Sequence, residues 1–291
     1  MSIKEIVALS LELSLFLLVF SIGLESRWSD VVHVLRRPAL LVRAILAVNV
    51  IVPAVVVTLC LILPIAPWTE AGLVIMAVSP LAPFAPVKML KSEAEQSYVI
   101  GTYVALMLCA VVLVPLTAEI LKPLTAQSIG IPVAVVAAYV VETVLVPLFA
   151  GVLVHSQWEA FSARIAPLTR KVALTIVVLV AVIMLLRFAK DLISLPGDGT
   201  LVVVMSAVAA GLFGGYALGG PDLGTRKALG DAAATRHPGL AAAIAQLGTN
   251  DSRVLSAIVL YLFSSIIFSA AFNWALRAAR MRPFQRSGVR Q

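Results

Sequence analysis

Charge is scarce in this chain. Asp, Glu, Lys and Arg make up 13% of its 291 residues, against 61% hydrophobic residues. Soluble proteins carry about 25% charged residues, so a compact soluble domain would have nowhere to hide this much apolar surface. Acids are scarcest, 15 against 22 bases. A surplus of seven positive charges on one ribbon would suggest nucleic acid. Here the bases sit in short caps between apolar runs, as topology signals do. There are three histidines, and two of them, His33 and His155, lie in caps. With no metal-ligand spacing, no nucleophile beside a base and no phosphate loop, no enzyme, metal or cofactor is expected. The two cysteines, Cys60 and Cys109, fall inside apolar runs and read as packing residues rather than a disulfide.

Long apolar runs dominate what is present. At about 20 residues per span, the pattern predicts an all-α integral membrane protein of nine transmembrane helices forming one domain over 1–291. The spans fall near 6–24, 39–63, 71–88, 98–121, 132–155, 172–189, 200–218, 228–247 and 254–277. Glu12 interrupts the first run and no small-residue cleavage site precedes Glu25, so the run is read as a helix and not a signal peptide. Fifteen of the 22 bases, Lys88 and Lys91 among them, fall in caps on one side, and five on the other. This asymmetry predicts an outside N-terminus and a cytoplasmic basic tail at 278–291.

The third and eighth spans are the weakest, and for the same reason. Ser79-Pro80-Leu81-Ala82-Pro83-Phe84-Ala85-Pro86 has a proline at every third position. Each proline lacks an amide proton and pushes its predecessor toward extended geometry, so the helix must break. The eighth span breaks at Pro238 and Gly239, after Thr235-Arg236-His237. Five spans apart, the two segments run in opposite directions. Two discontinuous helices so related are the mark of an inverted-repeat transporter with its site near the midplane. The repeats would cover about 6–121 and 132–277, with 132–155 an extra helix.

Ionisable groups at bilayer depth usually face a cavity or a pathway. Arg236 either clamps an anion or pins unwound carbonyls, and His237 is either a pH sensor or a structural histidine. Glu142, mid-span, reads as a proton relay, an ion-pair partner of Arg236 or an interfacial contact, and Glu12 as a functional carboxylate or one reaching head groups. Asn49 lines a cavity or bonds a neighbouring helix. Phe84, beside Pro83, stacks on a substrate or packs. The positive charge of Arg236 and the half-helix N-termini favour a small organic anion.

Phe20-Ser21-Ile22-Gly23-Leu24, Arg37-Pro38 and Val52-Pro53 together resemble the opening of the bile acid:sodium symporter family. His237-Pro238-Gly239-Leu240-Ala241-Ala242-Ala243 is similar to that family's second crossover motif, Glu-x-Gly-x-Gln-Asn-x-Gly-Leu-Ala. Ser79-Pro80 stands where its first, Pro-Gly-Gly-x-x-Ser-Asn, begins. The resemblance implies crossing broken helices, alternating access, a bilayer partner and, as expected location, a bacterial inner membrane. It also sets Ala232 at the acidic sodium ligand, Arg236 at the glutamine and His237 at the asparagine, with Ala85 and Pro86 at the serine and asparagine. Sodium prefers hard oxygen ligands, so a proton, or no coupling ion, is expected in its stead, with His237, Glu142 and Asp231 as candidate coupling residues. Asp231 adjoins the lost carboxylate, and a shift of register would restore part of a sodium site. Alternatives are a metalloid or arsenite efflux permease, whose family carries a cysteine where Val78 and Ser79 stand here, and a non-pumping channel or ligand-binding receptor.

Overall fold

The computed structural model describes residues 3–125, 131–194, 199–248 and 252–286, and every regular element among them is helical. In chain order these are α1 (Ile3–Gly23), α2 (Trp28–Val31) and α3 (Pro38–Ile45), which leads through a π-helical turn (Leu46–Ile51) into α4 (Val52–Ile62). Next come α5 (Pro67–Val78), α6 (Ala85–Leu90) and α7 (Gln96–Leu121). A second π-helical turn (Val141–Leu145) joins α8 (Val133–Val140) to α9 (Val146–Gln157). The chain ends with α10 (Glu159–Ser194), α11 (Thr200–Leu218), α12 (Leu223–Ala234), α13 (Pro238–Gly248) and α14 (Ser252–Arg286).

Both π-helical turns stop two residues short of a proline, Pro53 and Pro147. A proline ring clashes with the turn before it and offers no amide, so the preceding carbonyls shift to a wider register.

Six helical segments among the described residues are long and apolar enough to cross a bilayer: Pro38–Ile62, Gln96–Leu124, Val133–Gln157, Glu159–Ala189, Thr200–Leu218 and Arg253–Leu276. The other three expected spans are the first, of which Leu9–Gly23 is apolar but shorter, and the two proline-broken segments. The outward surface is apolar, with Ile62 71% and Leu186 73% exposed. The protein is an integral membrane protein of apolar helices. Two helices run past their expected bounds: α14 continues to Arg286, into the segment expected as a tail, and α10 starts early. Arg164, Arg170 and Lys171 are among the fifteen bases that the apolar pattern places in caps, yet they lie on α10, which starts at Glu159 and runs through Pro167. Their charges ride on a helix that continues past its apolar stretch.

Two groups of helices emerge. α1 packs on α9 and α10, close enough at Gly23 and Gly151 that a Cβ on Gly151 would lie 2.8 Å from the Gly23 Cα. Small residues at such crossings let backbones approach inside a membrane. In the other group α11 packs on α4 and α12, and α14 on α5 and α11. The broken segments exchange halves: α6 packs on α12, and α13 on α5. They lie against each other as a crossed pair.

Candidate functional site at the crossed helix breaks

At the first break Ser79 closes α5 in extended geometry (φ −62°, ψ 148°). At the second, Thr235 closes α12 likewise (φ −103°, ψ 115°). The breaks touch directly, the His237 amide donating to the Ser79 Oγ at 3.3 Å. His237 also starts α13. Its carbonyl accepts from the Ala241 amide at 3.0 Å and its Nδ1 from the Leu240 amide at 3.2 Å. With Pro238 at the first helical position, this is an N-cap built on an imidazole. Nδ1 as acceptor fixes the proton of the neutral ring on Nε2, and the ring meets Tyr139 edge-on at 4.9 Å.

Arg236, the largest fully buried side chain at 1% exposure, donates through Nη1 to the Ser79 carbonyl at 3.2 Å and through Nη2 to the Val48 carbonyl. Both acceptors are carbonyls that proline has orphaned. In the π register of Leu46–Ile51 the amide due to Val48 lies five residues on and belongs to Pro53. Four residues beyond Ser79 stands Pro83. A buried carbonyl without a donor costs about 1–3 kcal/mol, and the guanidinium supplies both missing donors. The Tyr261 hydroxyl lies beside it without an aligned hydrogen bond.

A cavity of about 390 Å³ runs beside the breaks. Its wall is apolar: Leu15 from α1, Val180 and Met184 from α10, Phe84 from the first break, and Ile258 and Leu262 from α14. Pro83, His237, Pro238 and Gly239 also line it, as do Lys88 and Lys91. Lys88 Nζ donates to the Thr235 Oγ1 at 2.8 Å and to the Ser269 Oγ at 3.0 Å. Thr235 Oγ1 in turn donates to the Asp231 carbonyl at 2.6 Å, and the Asp231 carboxylate accepts from Asn273 Nδ2 at 3.0 Å on each oxygen.

The expected site residues therefore divide. Phe84, Pro83, His237, Pro238 and Gly239 meet at the cavity, while Pro80 and Pro86 are buried in the break and do not line it. Arg236 and Thr235 also stay off the wall. The guanidinium is turned toward carbonyls, so the pin, not the clamp, is the geometry seen. Asn49 is buried with its Oδ1 lacking a hydrogen-bond partner. Glu142 and Glu12 are exposed, which separates Glu142 from the buried Arg236. Cys60 and Cys109 are free thiols, and neither lines the cavity. The residue the sequence reading missed is Lys88, counted there as a topology charge. A signal was present in its position two residues after Pro86, at the end of a broken span.

An all-helical membrane protein in which two interrupted helices cross beside an apolar cavity has the architecture of a transporter. The chain belongs to the sodium bile acid symporter family, whose model matches residues 12–195. No curated protein matches it by sequence. The family match ends before α11 and leaves the second break, with its motif departures at Ala232, Arg236 and His237, outside it. The chain differs at positions where the family motifs carry oxygen-bearing side chains. Ala232, Ala85 and Pro86 offer no side-chain oxygen, and a guanidinium already occupies two carbonyls.

Proposed function

We propose that the protein is a secondary transporter of an amphipathic organic anion, working by alternating access without sodium. The observation that carries this reading is the apolar cavity between the α1/α10 group and the crossed breaks, with the Lys88 ammonium on its wall. Apolar walls suit an extended hydrocarbon body, and an ammonium has three donors, of which Lys88 spends two on hydroxyls. The third is free for a carboxylate or sulfonate head. Lys91, also at the cavity and exposed, adds attraction for an anion at its mouth.

In this reading α1, α8, α9 and α10 form a panel, and the crossed pair with its supporting helices rocks against it. The nine-span count belongs to the proposal, with each broken segment crossing as one span, the N-terminus outside and the C-terminus cytoplasmic, in a bacterial inner membrane. Arg236 holds the two breaks together permanently, a task a bound cation would otherwise share. Metalloid efflux is disfavoured because the cavity presents no thiol.

Taurocholate uptake into proteoliposomes tests the reading. The parent protein should accumulate the probe when choline replaces sodium on both sides, and Lys88→Met should lower uptake at least tenfold. A steep sodium requirement at fixed pH would sink the sodium-free mechanism. Downhill flux without accumulation would make the protein a channel.

A further inference from the structure

Asp231 stands one helical turn before Thr235 at 2% exposure. Among the residues whose side chains the structure describes, the three ion pairs lie elsewhere. The two Asp231 oxygens share one neutral donor, the Asn273 amide. A buried carboxylate held in this way is costly as an anion and is relieved by taking a proton. An asparagine amide carries both donors and an acceptor, so it can hold either form, where an arginine would hold only the anion.

The charged groups around Asp231 are cationic. Lys88 of α6 and Lys227 of α12 act on it from beyond contact distance. α11 and the π-helical turn Leu46–Ile51 pack on α12 and contain no charged residue, the one charged residue of α7, Glu119, sits at that helix's far end, and α14, which also packs on α12, carries Arg277 one turn beyond Asn273. Lys88 is thus shared. It faces the cavity, and Thr235 links it to the helical turn that carries Asp231. An anion arriving at Lys88 weakens the hold of that ammonium on the Asp231 charge.

We propose that Asp231 is the proton-carrying group of the transport cycle, ionised while Lys88 is free and protonated when an anionic head group engages Lys88. This rests on the transporter reading above and supplies its coupling ion. One proton passes from water on the open side to an Asp231 oxygen as one anion binds, and it returns to water when the anion leaves. No other bond is made or broken. One negative and one positive charge enter together, so the core crosses with the net charge it has when empty.

Two measurements on the full chain in liposomes test this. Taurocholate is again the probe, because its sulfonate stays ionised across neutral pH and any pH effect reports the protein. With sodium absent and the outside made acid, the parent protein should accumulate the probe several-fold and lose that accumulation on adding a protonophore. Asp231→Asn should still exchange labelled for unlabelled probe at near-parental rate yet lose gradient-driven accumulation, and Asp231→Glu should restore it. A merely structural carboxylate would lower exchange and accumulation together, and that pattern, or accumulation that survives in Asp231→Asn, overturns the proposal. The second measurement needs no ligand: infrared difference spectra should show a protonated-carboxyl band that changes with pH and vanishes in Asp231→Asn. Absence of that band overturns the proposal. A parent protein that exchanges no probe but shows the band overturns the substrate reading and supports the titrating carboxyl.

Discussion

Two cations at the crossed breaks have opposite surroundings, and this predicts different phenotypes. Arg236 faces carbonyls whose helical donors are the missing amides of Pro53 and Pro83. Removing it in Arg236→Ala leaves two buried acceptors, so the protein should lose roughly 2–6 kcal/mol, at about 1–3 kcal/mol for each orphaned carbonyl. Thermal unfolding in mild detergent measures this. Arg236→Lys retains a charge but not the fork, and should recover only part of the loss. Lys88 makes its bonds to hydroxyls at a cavity wall. Lys88→Met takes a donor from two buried hydroxyls but from no carbonyl, and the methionine stem still packs. It should therefore cost less than Arg236→Ala, about 1–3 kcal/mol, while the rise in melting temperature that taurocholate should give the parent protein should be lost.

At the level of elements, the proline breaks and the arginine form one device. Restoring an amide at position 53 would give the Val48 carbonyl a local donor, making the guanidinium partly redundant there. Pro53→Ala should therefore rescue Arg236→Gln, with a coupling energy of about 0.5–2 kcal/mol in a double-mutant cycle read by unfolding midpoints. Additive effects would mean that the π-helical turn does not release its carbonyl for Arg236. The contact between α11 and α12 is a second test. A Cβ on Gly211 would lie 2.9 Å from the Ala233 carbonyl, which leaves no room for a larger residue. Gly211→Val should push α12 away from α11, cost about 1–3 kcal/mol by overpacking, and cut transport by displacing Thr235 and Asp231. A mutant with parental melting temperature and uptake would contradict the packing.

For the whole molecule, the proposed orientation and the proposed motion are both open to direct measurement. With Cys60 and Cys109 replaced, single cysteines at Lys122 and Arg36 should react with an impermeant thiol reagent from opposite sides of right-side-out vesicles, Lys122→Cys from outside. Labelling of both from outside contradicts the orientation and the span count between them. The charge asymmetry behind this prediction was readable from the order of bases and apolar runs along the chain. The motion was not. Two groups of helices separated by an apolar cavity are visible only once α1, α9 and α10 are seen packing together away from the crossed breaks.

What the chain determines by itself is local. Apolar runs of span length make membrane helices because a bilayer satisfies no backbone group outside a helix. Prolines at 80, 83 and 86, and at 238, break two of them because a proline has no amide to give. Family membership follows from the same linear order. The side-chain roles were decided by distance in sequence. Arg236 reads equally well as clamp or pin until Val48 and Ser79, 188 and 157 positions away, bring their carbonyls to it. Lys88 reads as a cap charge until Thr235 and Ser269, 147 and 181 positions away, accept its protons. Glu142 looks central on its helix, and only the packing of α8 and α9 turns it outward. A span's hydropathy records the depth of a residue, while the direction its side chain faces depends on neighbours that only tertiary structure supplies.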